Sequence, residues 1–144
     1  MKKNLLRALL GLMLVSTFAL GSCSKDKDDN TDITSDKIIG KWTVQKLDIT
    51  TVVDGDKDTE TETPDVETTL EFKADGKVVG ESDGTYNGTW KLEGNQLTVT
   101  GLDITYGDTD SFTVQEATSS SMKLYSKFSV NANNYAEWTL FLTK

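Results

Sequence analysis

Residues 85–99 read TYNGTWKLEGNQLTV, and this stretch decides the fold. Tyr86, Gly88, Trp90 and Leu92 occupy alternate positions, so an extended chain would place all four on one face. Gly94-Asn95 then supplies turn chemistry, and Leu97 and Val99 resume the alternation beyond it. Two alternating runs separated by a tight turn predict a hairpin.

The pattern repeats in both directions. Upstream, KADGKVVG at 73–80 holds Asp75-Gly76, a strong two-residue hairpin signal. VETTLEF at 66–72 puts Val66, Thr68, Leu70 and Phe72 on one face. GKWTVQKLDITTVV at 40–53 alternates through Trp42 and Val44, then slips to Leu47 and Ile49, which predicts a bulge. Downstream, SFTVQEA carries Phe112 and Val114, and SSSMKLYSKF carries Met122, Leu124, Ser126 and Phe128. YAEWTLFLTK ends the chain with Ala136, Trp138, Leu140 and Leu142 on a shared face. Pro64 is the one proline, and no long helical period follows residue 37.

Residues 37–144 therefore predict one small all-β domain of eight consecutive antiparallel strands around one core. The links ADG, EGN and ATSS are tight, whereas DGDKDTETETPD, ESDGT, DITYGDTD and NANN are longer or looser, and the two kinds alternate. In an up-and-down barrel alternate links lie at the same end, so this alternation predicts a cup. Eight strands enclose an interior that side chains fill or that holds one small ligand. A β-sandwich has the same strand alternation and stays open as an alternative.

The opening MKKNLLRALLGLMLVSTFALGSC begins with Lys2, Lys3 and Arg7, followed by an apolar run from Ala8 to Leu20. That run is too short to cross a bilayer, which takes about 20 apolar residues. A basic start, a short apolar run and small residues describe an export signal over residues 1–22. Cys23 is the only cysteine, which rules out a disulfide within the chain. Residues 23–36, including SKDKDDNTDITSD, carry almost nothing apolar and predict a flexible acidic tether.

Net charge is −8, from 15 Lys plus Arg against 23 Asp plus Glu. Removing Lys2, Lys3 and Arg7 with the signal leaves 12 against 23, or −11, with no arginine and no histidine. Such a surface repels phosphate backbones and argues against a nucleic-acid partner. Without histidine there is no imidazole base, and no carboxylate pair is singled out, so the residues point to a non-enzyme without a cofactor.

Two resemblances bear on this reading. Leu20-Gly21-Ser22-Cys23 resembles the bacterial lipobox, which implies lipidation of the Cys23 thiol and anchoring of the chain to a membrane. The Lys and Asp residues after Cys23 are similar to the export tag of Bacteroidota lipoproteins, implying the outer membrane and display on the cell surface. A plain spacer on the periplasmic face is the alternative. Gly40-Lys41-Trp42, with LEFKADGKV and GTYNGTWKLEGNQLTV, resembles the small lipocalin-like lipoproteins of Bacteroidota over residues 37–144. The resemblance implies that Trp42 closes the barrel floor and that Gly40 allows close backbone approach. Lipocalins proper pack an arginine on that tryptophan; no arginine follows Arg7, so this contact is expected to be absent.

The candidate ligand residues are Thr68, Phe72, Tyr86, Gly88, Trp90, Phe112, Ser126, Phe128 and Trp138. Aromatic side chains could line a cavity or simply fill the barrel. Thr68, Gly88 and Ser126 would leave space or offer polar groups among them. Asp54, Asp56, Asp58, Glu60, Glu62 and Asp65 have the one, three, five, seven, nine, twelve spacing of a calcium loop. Thr59 stands where such a loop needs glycine, and no helices flank it, so a solvated acidic loop is the favoured reading and no metal is expected. Three functions follow. The first is a membrane-anchored barrel binding a small apolar or amphipathic ligand. The others are an interaction protein with a solid core and an inhibitor that uses its acidic rim. The residues do not fix an oligomeric state.

Overall fold

The structure, a computed structural model, describes residues 32–102 and 111–144. The export signal, Cys23, most of the tether and the 103–110 link lie outside the described residues.

Ile33 packs against the core, and one helical turn, α1, runs Ser35–Ile38, with Ile38 fully buried. Among the described residues nine strands follow: β1 (Gly40–Val53), β2 (Asp56–Glu62), β3 (Thr69–Phe72), β4 (Lys77–Glu81) and β5 (Thr85–Glu93). Then come β6 (Gln96–Thr100), β7 (Ser111–Ala117), β8 (Ser121–Asn131) and β9 (Asn134–Thr143). They form one antiparallel sheet in the order β2-β1-β3-β4-β5-β6-β7-β8-β9, and β1 also pairs with β9. That last pairing closes an eight-stranded barrel and leaves β2 as an extra strand outside the ring. The sandwich alternative is thereby excluded.

The ninth strand corrects the expected acidic loop. Asp54 and Gly55 take positive φ values of 54° and 89°, the two-residue turn that matches strand twist. Beyond it DKDTETE pairs back on β1, from Val53 opposite Asp56 to Leu47 opposite Glu62. One edge of β1 is thus shared, with Gly40–Thr43 pairing β3 and Leu47–Val53 pairing β2. The predicted bulge falls between Val44 and Lys46, where the β1–β9 register shifts. It turns Leu47 and Ile49 onto the face that Trp42 and Val44 occupied.

Other links also differ from expectation. NANN is a tight turn, since Asn131 already pairs with Asn134. The β4–β5 link is also short, residues 82–84, with Ser82 donating its backbone N–H to the Gly84 carbonyl at 3.0 Å. Val66 is 53% exposed in the β2–β3 link, because β3 starts only at Thr69.

The lower barrel is filled. Trp42, Phe72, Phe112, Leu97, Met122, Leu124, Leu142, Val78 and Val99 are all buried to within 2% of complete enclosure. The Phe72 and Trp90 rings meet edge-on with centroids 5.7 Å apart. Trp42 donates its indole N–H to the Ile38 carbonyl at 2.8 Å, which ties α1 beneath the floor. The contact expected to be missing is present in another form: Lys144 Nζ lies 4.4 Å from the Trp42 ring centroid. Gly40, at φ 130°, leaves room for it, since a Cβ there would meet Lys144 Cε at 3.0 Å.

A cavity at the barrel mouth

The end opposite Trp42 carries the 63–68 and 82–84 links, and there the interior opens into a cavity of about 850 Å³. Val44, Leu47, Leu70, Leu102 and Leu140 line it with aliphatic side chains. The bulge after Val44 is what allows both Val44 and Leu47 to reach this space. Gly80 lies between Leu70 and Leu102, so its missing side chain adds to the void. Thr68, Ser82 and Tyr86 add hydroxyl groups, and Glu62, Asp65 and Glu81 add carboxylates. The mix of an apolar floor and a few polar groups, at this volume, fits a small-molecule site, for which about 300–1,000 Å³ is usual.

The rim is tied down electrostatically. Glu81 accepts a hydrogen bond from Lys41 at 2.7 Å and from Thr69 at 3.3 Å. The Lys41 hydrogen bond and charge hold the Glu81 carboxyl below its usual range. Tyr86 donates its phenol to Asp83 at 2.9 Å, which lowers the Asp83 carboxyl and raises the phenol.

Of the candidate ligand residues, Thr68 and Tyr86 line this cavity. Phe72, Phe112 and Trp138 are buried in the core, and Trp90 packs on it with its indole N–H donated to the Lys73 carbonyl at 2.8 Å. Ser126 is 3% exposed and spends its hydroxyl on the Ser111 carbonyl at 3.1 Å. Gly88 leaves no space: a Cβ there would stand 2.3 Å from the Thr100 carbonyl oxygen, with Leu102 pressed alongside. Phe128 is 55% exposed near the open end of β8. Alternation alone placed Val44, Leu47, Leu70 and Leu140 on strand faces and did not single out Leu102.

Asp56 and Asp58 sit on β2 beside the turn residue Asp54, so the calcium-loop geometry is not formed. Alternate residues on a strand are about 6.6–6.8 Å apart and run in a line, where calcium requires oxygens converging at about 2.3–2.6 Å. Among the described residues no group of three or more His, Cys, Asp or Glu is placed to hold a metal ion.

A closed antiparallel barrel with a partly apolar cup at one end defines a class of protein whose architecture is consistent with small-ligand binding. A family model for the lipocalin-like domain matches residues 38–124, and the chain belongs to that family. Among solved structures, apocrustacyanin C2 is similar at 14% identity and a TM-score of 0.44, covering 82% of this chain. This chain spans 64% of that protein's length. No curated protein matches the chain.

Proposed function

We propose that the protein is a lipid-anchored lipocalin-like lipoprotein of the outer membrane that binds a small apolar or amphipathic molecule and catalyses no reaction. The observation that carries the binding function is the mouth cavity of about 850 Å³, whose aliphatic floor gives way to a hydroxyl and carboxylate rim. A ligand there would bury its apolar part against Leu70, Leu102 and Leu140 and keep its polar end near Tyr86 and Ser82. The anchor reading is supported by the lipobox-like Leu20–Cys23 stretch behind a short apolar run. Several acyl chains, each methylene contributing about 0.8 kcal/mol, hold such a protein stably. Cell-surface display in a member of the Bacteroidota is supported by the Lys and Asp residues that follow Cys23.

The binding test is titration with a neutral solvatochromic dye such as Nile red, followed by displacement with alkyl compounds. Saturable, displaceable fluorescence supports the proposal, and its absence refutes it. Mass spectrometry of the mature protein tests the anchor, which requires acyl mass on Cys23, and protease shaving of intact cells tests the membrane face. The filled lower barrel, together with exposed Val53, Phe128 and Val130, favours a second reading as a protein-interaction module.

A further inference from the structure

The barrel mouth does not end at the cavity rim. The upper half of β1 is flanked by β2 on one side and β9 on the other, and β9 by β8, giving a four-stranded wall. Cross-strand partners share a face. Leu47 and Leu140 line the mouth cavity and face each other, so the register fixes which residues continue that face upward. On β1 they are Ile49, Thr51 and Val53, and on β9 Trp138 and Ala136. On β8 they include Phe128, opposite Ala136. On β2 they are Glu62, Glu60, Asp58 and Asp56, opposite Leu47, Ile49, Thr51 and Val53 in turn.

A second cavity of about 440 Å³ lies on this same face, lined by Ile49, Thr51, Val53, Asp56, Lys57, Asp58 and Glu60. Two cavities therefore follow one another along β1, from Leu47 to Val53, a rise of about 20 Å at the usual strand spacing. The apolar strip beneath them is bordered along β2 by carboxylates. Among the described residues no lysine lines the mouth cavity, and the ionisable groups there are Glu62, Asp65, Glu81 and the Tyr86 phenol. Lys57 is the cation beside the second cavity, and its cross-strand partner Val52 belongs to the opposite face. Lys41 pairs with Glu81 at 2.7 Å from outside the lining.

We infer that the mouth and its wall select an elongated cationic amphiphile, an alkyl or aryl chain bearing one or more amino groups, over fatty acids and other anions. This rests on the small-ligand function proposed above and adds the sign of the ligand's charge. An apolar body lies along Leu47, Ile49 and Val53, and its ammonium groups meet carboxylates that recur at about 6.6–6.8 Å on β2. A carboxylate headgroup entering the same space meets like charge and no arginine or histidine, since neither occurs after Arg7.

The test is competition against bound Nile red at low salt with dodecylamine and dodecanoate, each below its micelle-forming concentration. Tight dye binding with dodecylamine displacing at about a tenfold lower concentration than dodecanoate supports the inference. The preference, taken as the ratio of the two displacing concentrations within one variant, should shrink in high salt and fall at least about threefold in the Asp56→Asn, Asp58→Asn, Glu60→Gln variant. Equal displacement, or preference for dodecanoate, overturns the charge assignment and leaves the cavity function standing. Absence of dye binding overturns both. A preference for the amine that survives the triple substitution removes β2 from the proposal and refutes the ladder.

Discussion

The Lys144 ammonium sits 4.4 Å from the centroid of the Trp42 ring and donates a hydrogen bond to the Ile39 carbonyl at 3.1 Å. One side chain thereby joins β1, the residue after α1 and the end of β9 at the closed floor. Cation–π contacts of this kind contribute about 0.5–1 kcal/mol where partly exposed. Lys144→Ala should lower unfolding free energy by about 1 kcal/mol, a midpoint shift of about 4–8 °C for a domain of this size. Lys144→Arg should retain most of it. Calorimetry of the two variants checks this, and equal loss in both would show that ring stacking is not the contribution.

Gly88 and Gly80 make a matched pair with opposite expectations. At Gly88 a methyl group would collide with the Thr100 carbonyl at 2.3 Å, so β5 and the following chain must separate. Gly88→Ala should cost about 1–3 kcal/mol in urea unfolding. At Gly80 the nearest atoms, on Leu102 and Leu70, stand at 3.5 and 3.6 Å, ordinary contact distances. Gly80→Ala should change stability by less than about 1 kcal/mol.

Gly80 also offers a way to fill the mouth. Gly80→Leu places a branched side chain where Leu70, Leu102 and the void meet. Nile red affinity should fall by about tenfold or more, equivalent to about 1.4 kcal/mol, with the fold intact by circular dichroism. Unchanged affinity would move the binding site away from this cavity.

Tyr125 should report the outer barrel wall in alkali. Burial, then its hydrogen bond to Glu137 at 2.9 Å, pushes its phenol up to about 12. The folded state favours the protonated phenol, so this contribution is complete below an ordinary value of 10.0 and is lost as pH rises from there to about 12. Ultraviolet titration should show a component ionising near 12, beside the raised Tyr86 phenol, that is absent from Tyr125→Phe.

In acid the sign reverses. Asp48 is held low by hydrogen bonds from Lys46 and Thr61, and Glu81 by Lys41. For Glu137, burial acts upward, but hydrogen bonds from Lys127 and Tyr125 outweigh it and the net shift is down. These groups stabilise the fold above their ordinary values of 3.8 for Asp and 4.5 for Glu. The contribution is lost as pH falls below those values through the lowered ones. Unfolding midpoints measured from pH 6 downward should drop in that window, and less so in Glu137→Gln.

Much of the barrel was legible because turn chemistry and alternation coincide. Asp75-Gly76, Gly94-Asn95 and the slip between Val44 and Leu47 each fell where a turn or bulge occurs. β2 was illegible for a physical reason. Its residues are exposed on both faces apart from half-buried Glu62, so no apolar rhythm marks it, and only pairing with β1 makes it a strand. The site was half legible. Tyr86 and Thr68 drew notice as a tyrosine and a hydroxyl on inward faces, whereas Leu70, Leu102 and Leu140 look alike whether they bound a void or fill one.

The ring is sealed by β1 against β9, a junction that unites opposite ends of the domain's sequence. Chain assembled from Gly40 onward holds an incomplete sheet until the final segment arrives, so β1 exposes an unsatisfied border throughout synthesis. Long-range closure of this kind is slow, on the order of milliseconds to seconds. Clipping a few residues from β9 would therefore unzip the cylinder as a whole, and its loss would be felt at the mouth as well as at the floor.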